Sequence, residues 1–161
     1  VAPVQLERIR SLVEIGVKEG AQKYQAATAL PQDGCFYPPT LLWNVHPSST
    51  VAIEEIFGPV LVAMTFRTPD EAVMLANNTR YGLAASVWTN NLGRANRVAR
   101  AIRSGSVAIN TPYAVFPGVP FGGYKQSGYG RELGMETMRL YSETKSVLTY
   151  IGEKPMDPFR V

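Results

Sequence analysis

Residues 60–66 of the chain are VLVAMTF, and residues 68–71, which follow after one arginine, are TPDE. The first stretch is almost entirely apolar and is flanked by proline-containing dipeptides, which predicts a strand buried on both faces. The second stretch has the pattern of a capping box with proline at the first helical position, so we expect a helix from there to about Asn78. A buried strand that leads directly into a helix indicates an α/β fold.

The alternation of strands and helices continues on both sides of this pair. Upstream, an amphipathic helix is predicted over residues 3–20, with four apolar residues on one face: Leu6, Ile9, Val13 and Val17. Downstream, the pattern predicts a strand at residues 84–88, a helix at 91–103 and a strand at 106–109. Strands that alternate with helices of this length predict a mainly parallel sheet with helices on both faces.

The sequence after residue 110 has a different character. Residues 111–130 contain three prolines and five glycines, and their apolar residues follow neither the helical nor the strand periodicity. This predicts a long ordered loop of the kind that is often functional. A short helix is expected over residues 131–140, and residues 144–151 alternate β-forming side chains as a strand does. A strand so close to the end needs a pairing partner. Residues 153–161 have too little apolar pattern to pack and are expected to fray.

Length and composition favour one globular domain of ordinary size. The chain has 161 residues, a net charge of +3 and no dense basic block, and it has no apolar run near the roughly 18 residues that span a membrane. We therefore predict no nucleic-acid and no membrane partner. The single cysteine, Cys35, cannot form an internal disulfide, and no Cys/His cluster has metal-ligand spacing, so we expect a reducing compartment such as the cytoplasm and no metal. The start at Val1, without an initiator methionine, predicts a piece of a larger protein.

Two further stretches decide which family the sequence resembles: residues 54–60 are EEIFGPV, and residues 120–132 are PFGGYKQSGYGRE. The first resembles a motif of the aldehyde dehydrogenase superfamily, and the second resembles the family's loop-and-helix motif near the C-terminus. Shorter matches support them at residues 76–78, 81–85, 104–107 and 141–145. The resemblance implies three parts, which are a C-terminal portion of the catalytic domain at residues 1–140, an oligomerisation strand at 141–151 and a tail at 152–161.

The first motif implies half of a cofactor site. By the resemblance, Glu55 holds the nicotinamide ribose of NAD or NADP, and Phe57 lies near the nicotinamide ring. The residue types suit these roles, because a carboxylate can accept hydrogen bonds from two neighbouring hydroxyls and an aromatic face excludes water beside a ring. Outside such a motif, Glu54 and Glu55 would be a solvated pair and Phe57 a core residue.

The second motif implies part of a substrate tunnel. Members of the family line the aldehyde entrance with aromatic side chains from this region, and Phe121 matches such a position. Phe116 lies in the stretch just before it, where members of the family differ most, and is expected nearby. The proline before Phe121 and the glycines after it allow sharp turns beside other backbone.

Three other features are better explained without catalysis. Cys35 lies in an apolar, strand-like context without the cationic setting of a reactive thiol, and it does not match the family's nucleophile motif, which would fall upstream together with the general-base glutamate. His46 precedes Pro47 in a predicted turn and is expected at the surface. Four arginines spread over about half of a helix circumference, and they predict a solvated face rather than a nucleic-acid site: Arg94, Arg97, Arg100 and Arg103.

The resemblance implies an enzyme in the complete parent protein. In the family, a cysteine adds to an aldehyde, hydride passes to the nicotinamide of NAD or NADP, and water hydrolyses the thioester to a carboxylic acid. This chain is expected to contribute binding and positioning, with the remainder of the parent chain as partner, in a homodimer or homotetramer. One alternative is a non-catalytic scaffold of the same superfamily. A second is an independent binding module, which would leave both enzyme motifs unexplained.

We predict no dehydrogenase activity for the 161-residue chain alone, because by the resemblance its nucleophile and general base lie upstream. The measurement is NADH formation from an aldehyde and NAD+ by the pure chain. NADH formation above the buffer rate would contradict this prediction.

Overall fold

The computed structural model describes residues 2–27, 29–31, 33–112 and 115–152. The chain divides into two compact units, the first formed by Val1–Ala114 with Gly122–Gly130 and the second by Val115–Phe121 with Arg131–Val161. The single domain that the sequence predicts stays a prediction. The loop predicted over residues 111–130 contributes residues to both units.

Short helices and strands alternate through the first unit. In chain order they are α1 Pro3–Lys18, β1 Gln22–Gln25, β2 Thr40–Trp43, α2 Thr50–Ile53, β3 Val60–Val62, α3 Pro69–Asn77, β4 Ala84–Val87, α4 Leu92–Ala101, β5 Ser106–Ile109 and a 3-10 turn at Lys125–Ser127. The second unit contains one described helix, α5 Glu136–Leu140. The order of elements within the first unit follows the predicted alternation.

The strands of the first unit form two sheets. In one, the order is β1-β2-β3, with β1 antiparallel and β3 parallel to β2. In the other, β4 and β5 are parallel, with Ala85 opposite Val107. The helix α1 packs against β2 and α2, whereas α4 packs against β4, β5 and α3. The α/β class and the mainly parallel pairing are confirmed, but the strands lie in two sheets instead of one.

Two of the predicted strands, β3 and β4, are shorter and more exposed than the sequence predicts, whereas β5 has its predicted bounds. The run at residues 60–66 forms a strand only at Val60–Val62, and Leu61 is 66% exposed although burial on both faces is expected. In β4, predicted as a buried strand, exposed side chains alternate with the half-buried Ala85 and Val87. Within the described residues, the side chains of one face of β4 are therefore exposed, whereas all four side chains of β5 are half-buried.

The core of the first unit forms where α1 packs on β2 and α2. Ile9, Val13 and Leu42 are its most buried large side chains. The predicted apolar face of α1 is confirmed over its first three turns, but Val17 is 42% exposed. Gly16 lies against the core instead, because a Cβ atom there would come within 2.8 Å of a valine of α2.

The capping box at the start of α3 is confirmed. The Thr68 hydroxyl accepts a hydrogen bond of 3.2 Å from the backbone N–H of Glu71. The Glu71 carboxylate accepts a hydrogen bond of 2.7 Å from the backbone N–H of Arg67, and it also forms an ion pair with the Arg67 guanidinium. The cap satisfies a donor that the first turn leaves without an intrahelical partner, which begins the helix at Pro69.

The described residues of the second unit form one strand bridge and one short helix. Phe121 and Glu132 exchange two backbone hydrogen bonds, of 2.7 and 2.8 Å. The helix predicted over residues 131–140 is limited to α5. Its first half does not form because Leu133 and Gly134 have left-handed backbone conformations, which cannot continue a right-handed helix.

The predicted strand at the end of the chain has no pairing partner in the single chain. Residues 144–151 are not hydrogen-bonded as a strand in the described part of the chain. A strand requires hydrogen bonds to a neighbouring strand, and the second unit contains no described strand beside it. Pairing with a second copy stays a prediction. Residues 153–161, which are expected to fray, lie outside the described residues.

Three glycine-containing segments of the first unit meet in close backbone contact. The carbonyl oxygen of Gly82 accepts hydrogen bonds from the N–H groups of Gly105, at 3.0 Å, and Tyr124, at 2.8 Å. A Cβ atom on Gly82 would lie 2.5 Å from the carbonyl oxygen of Arg103, and one on Gly105 would overlap the carbonyl oxygen of Gly122. The backbones approach so closely that only glycine fits.

We predict that Gly105→Ala lowers the free energy of unfolding by about 1–3 kcal/mol or more, because its methyl group would meet a carbonyl oxygen that cannot rotate away. The measurement is denaturant unfolding of the purified protein. Gly118→Ala is the matched control, since no atom lies within 4 Å of the added Cβ atom, and a change within about 0.5 kcal/mol is expected there. Equal effects of the two substitutions would contradict the close contact.

We predict that Glu71 makes the stability of the first unit depend on pH. The hydrogen bond from the Arg67 backbone holds the pKa of the Glu71 carboxyl below its ordinary value of 4.5 in the folded protein. The unfolded chain therefore takes up the proton first, and the contribution of Glu71 is present above pH 4.5 and lost as the pH falls through the lowered pKa. Denaturant unfolding between about pH 5 and 3 should show a weaker pH dependence for Glu71→Gln than for Asp70→Asn. The same slope in both variants would contradict the assignment.

Candidate functional site

The first motif forms the loop between α2 and β3, residues 54–59, which we call the α2–β3 loop. Gln5, on α1, donates hydrogen bonds of 3.1 Å to the carbonyl oxygens of Ile56 and Phe57. Phe57 has a left-handed backbone conformation with φ of 54°. Such a conformation is uncommon for a bulky residue and persists only when its surroundings fix it. The Gln5 amide supplies part of that restraint.

The α2–β3 loop also packs closely against α1. A Cβ atom on Gly58 would lie 2.5 Å from the side chain of Ile9, which is completely buried. Because Gly58 has no side chain, the backbone of the loop approaches α1 more closely there than any other residue would allow. The ring of Phe57 is 69% exposed, so the alternative that Phe57 is a core residue is wrong for this chain.

The two glutamates of the motif have different surroundings. The Glu54 carboxylate is paired with the guanidinium groups of Arg8, at 3.8 Å, and Arg80. The Glu55 side chain is exposed and has no hydrogen bond or ion pair with any described residue, whereas its backbone carbonyl accepts a hydrogen bond of 3.3 Å from Arg8. Glu54 and Glu55 are therefore not the solvated pair that the sequence offers as an alternative, because Glu54 is paired with arginines. Only the Glu55 carboxylate is free to accept hydrogen bonds from a ligand.

Glu55 lines an open groove of about 580 Å³ in the first unit. Apolar side chains such as Ile53 and Leu83 contribute to its wall, together with the polar Glu54 and Gln126. A larger cavity of about 1190 Å³ lies between the end of α1, β2 and α3, and none of the predicted site residues lines it. We place the candidate site at the α2–β3 loop because a free carboxylate and an exposed aromatic ring lie together there.

Part of the second motif is anchored to the first unit by side-chain hydrogen bonds. The Lys125 ammonium donates to the carbonyl oxygens of Asn77 and Thr79, each at 3.0 Å. These carbonyls lie at the C-terminal end of α3, where they lack intrahelical partners and where positive charge is favoured. The Ser127 hydroxyl accepts a hydrogen bond of 2.9 Å from the N–H of Gly82. The motif therefore has a structural role in this unit.

Sequence reasoning missed the residues that hold the α2–β3 loop. Gln5 and Arg8 are three positions apart on α1 and therefore share a face, which is a signal that could have identified them as a pair. Arg80 and Lys125 carry no such local signal, because their partners are distant in the sequence.

The two predicted tunnel residues belong to the second unit. Phe121 is half-buried, and its backbone is fixed by the bridge to Glu132. Phe116 is 62% exposed, and its carbonyl oxygen accepts a hydrogen bond of 3.0 Å from the N–H of Val119. Glu55 and Phe57, in contrast, belong to the first unit.

The features assigned to no catalytic role have ordinary surroundings. His46 is exposed and its Nδ1 lies 2.7 Å from the Ser48 hydroxyl, which confirms the predicted surface position. The four arginines, three on α4 and one just after it, are exposed, as expected for a solvated face. Cys35 is half-buried. In the ranges that the structure describes, no three His, Cys, Asp or Glu side chains group so that they could hold a metal ion. No helix among the described residues is long and apolar enough to cross a bilayer.

Comparison with known sequences identifies the same family over most of the chain. Residues 1–147 match the aldehyde dehydrogenase family. Aldehyde dehydrogenase 1 of Tanacetum cinerariifolium is 44% identical over 151 residues, which cover 94% of this chain and 30% of that protein. Betaine aldehyde dehydrogenase of Bacillus subtilis is 42% identical over 153 residues, which cover 92% of this chain and 31% of that protein.

Solved structures give the same result. The NAD-dependent aldehyde dehydrogenase of Sinorhizobium meliloti has a TM-score of 0.88 and 42% identity, with 98% of this chain and 31% of that chain covered. Betaine aldehyde dehydrogenase of Staphylococcus aureus in complex with NAD+ has a TM-score of 0.80 and 39% identity, with 87% of this chain and 29% of that chain covered. The chain therefore spans less than a third of each of these proteins, and it belongs to the aldehyde dehydrogenase family.

Proposed function

We propose that this chain is part of an NAD-dependent aldehyde dehydrogenase that oxidises an aldehyde to a carboxylic acid. Within that enzyme, Glu55 and Phe57 hold the nicotinamide end of the cofactor, while Phe121 and Phe116 form a wall of the substrate tunnel. The observation that carries the proposal is the free, exposed carboxylate of Glu55, in a loop that Gln5, Arg8 and Arg80 hold through its backbone and through Glu54.

The chemistry of the α2–β3 loop fits a nicotinamide riboside. A carboxylate without a protein partner can accept hydrogen bonds from two adjacent ribose hydroxyls, which is a charge-assisted and geometrically selective contact. The exposed ring of Phe57 offers an apolar face beside the flat nicotinamide. When bound, the cofactor supplies the hydride acceptor. The residues of this chain then orient the ring and exclude water.

The choice of NAD over NADP rests on the relatives. A betaine aldehyde dehydrogenase similar to this chain was solved in complex with NAD+, and another similar structure is described as NAD-dependent. Among similar sequences, one is a betaine aldehyde dehydrogenase and another a retinaldehyde dehydrogenase. Because relatives at similar identity differ in substrate, we propose an aldehyde as the substrate class and no particular aldehyde.

The proposal includes a homodimer or homotetramer. Residues 144–151 alternate β-forming side chains and find no strand partner in the described part of the second unit. A segment of this kind gains its backbone hydrogen bonds by extending a sheet of another subunit. We therefore assign these residues to the subunit interface of the parent enzyme.

We predict that Glu55→Gln in the full-length parent weakens NAD+ binding by about tenfold to a hundredfold, because it replaces a charge-assisted contact by a neutral one. The measurements are the Kd for NAD+ by calorimetry and the KM for NAD+. The melting temperature should stay unchanged, since the Glu55 side chain has no described protein partner.

The matched control is Glu14→Gln, the same chemical change at an exposed position of α1, for which no change in the Kd for NAD+ is expected. If Glu55→Gln binds NAD+ as tightly as this control does, Glu55 does not hold the cofactor and the proposed function of the site is wrong.

A further inference from the structure

We propose that Arg80 is a positioning residue that fixes the α2–β3 loop relative to the loop of the second motif at residues 122–127. This inference rests on the proposed function, because it concerns how Glu55 and Phe57 are held. Arg80 lies between α3 and β4, in neither of the two motifs that it contacts. Both motifs have their contacts to it within the first unit.

The side chain of Arg80 contacts the first motif. Its guanidinium forms an ion pair with the Glu54 carboxylate, which also faces Arg8 at 3.8 Å. The Glu54 carboxylate therefore lies between two cations. Arg8 in turn donates to the backbone carbonyl of Glu55, so a change at Arg80 reaches the cofactor residue through Glu54 and Arg8.

The backbone of Arg80 contacts the second motif. Its carbonyl oxygen accepts a hydrogen bond of 2.9 Å from the N–H of Gln126. The neighbouring carbonyl of Thr79 accepts the hydrogen bond from Lys125 at 3.0 Å. The backbone at residues 79 and 80 is thus fixed to the second motif, while the Arg80 side chain reaches the first. One residue therefore connects the two motifs.

The α2–β3 loop needs such an external restraint because of its conformation. Phe57 has a left-handed backbone, which the surrounding structure must maintain. Gln5 and Arg8 hold the loop from the α1 side. The ion pair of Glu54 with Arg80 is the described contact that holds it from the side of α3 and β4. Without this pair, the loop keeps its hydrogen bonds to α1, α2 and β2 but loses its contact with Arg80.

The partial exposure of the pair separates a positioning role from a stabilising one. The side chains of Arg80 and Glu54 are 40% and 33% exposed, and ion pairs that are open to solvent contribute little to stability. Removing the pair should therefore leave the melting temperature nearly unchanged. Its effect should appear in the contacts that depend on the position of Glu55, which are those to the nicotinamide ribose.

The test uses the full-length parent enzyme with four variants, Arg80→Gln, Arg80→Lys, Glu54→Gln and the double variant Arg80→Gln with Glu54→Gln. We expect Arg80→Gln to raise the Kd for NAD+ measured by calorimetry, and the KM for NAD+, by about threefold to tenfold, with the KM for the aldehyde unchanged. Arg80→Lys should retain most of the affinity because it keeps the charge. The double variant should bind NAD+ no more weakly than the single variant that has the higher Kd, because both substitutions remove the same contact.

Arg97→Gln is the matched control, since this arginine is exposed on α4 and has no ion pair among the described residues. It should leave the Kd for NAD+ unchanged. If Arg80→Gln changes the melting temperature without changing the Kd, or if the two single effects add in the double variant, Arg80 has no positioning role. Should Arg80→Gln fail to fold, Glu54→Gln removes the same ion pair and provides the comparison, with Arg80→Lys as the variant that keeps the charge.

The test also distinguishes this inference from the proposed function. If Glu55→Gln weakens NAD+ binding and Arg80→Gln does not, Glu55 holds the cofactor and only the positioning role of Arg80 is wrong. If neither substitution changes the Kd for NAD+, the α2–β3 loop is not the cofactor site and both proposals are wrong.

Discussion

The close backbone contact of Gly82, Gly105 and Gly122 determines the geometry of the first unit. Gly105 immediately precedes β5, and Gly82 lies two residues before the first residue of β4, so their contact lies at the start of both strands. Because Gly105 leaves no space for a Cβ atom beside Gly122, the loop of the second motif lies directly against the start of this sheet. From there, the Lys125 side chain reaches the C-terminal end of α3. Backbone contacts thereby connect a sheet and a loop that are distant in the sequence, and the Lys125 side chain connects both to a helix.

The contrast between Glu54 and Glu55 shows how the fold gives adjacent identical residues different roles. Side chains of neighbouring residues in an extended loop point in different directions, so one carboxylate faces Arg8 and Arg80 while the other faces solvent. The Glu54 carboxylate accepts a hydrogen bond from Arg80 and forms an ion pair with Arg8, so it is engaged within the protein. The exposed carboxylate retains its full capacity. In the proposed site, cofactor binding at Glu55 therefore depends on the protein contacts made by Glu54.

Local signals in the sequence predict part of this structure correctly. The capping box at Thr68 and the apolar face of α1 depend on residues within one or two turns, and both are confirmed. The burial of a strand depends instead on what covers it. The apolar run that includes Leu61 predicts burial on both faces, but Leu61 is 66% exposed in the chain as described. Other large apolar side chains of the first unit are equally exposed, such as Met74 and Trp88. Exposure on this scale is unusual for a complete soluble domain, and it agrees with a chain that spans less than a third of its relatives.

The candidate site shows a similar division between what a motif predicts and what the fold adds. The motif EEIFGPV identifies Glu55 and Phe57 through resemblance, yet no residue within it explains why Phe57 can keep a left-handed backbone. That restraint comes from Gln5 and Arg8, about fifty positions earlier. The spacing of Gln5 and Arg8 places them on one face of α1, but nothing in a single sequence connects that face with a loop so far along the chain. Each of the two is locally an ordinary polar residue of a helix surface. A ligand-binding residue is accordingly easier to recognise from the sequence than the residues that position it, although its geometry depends on them.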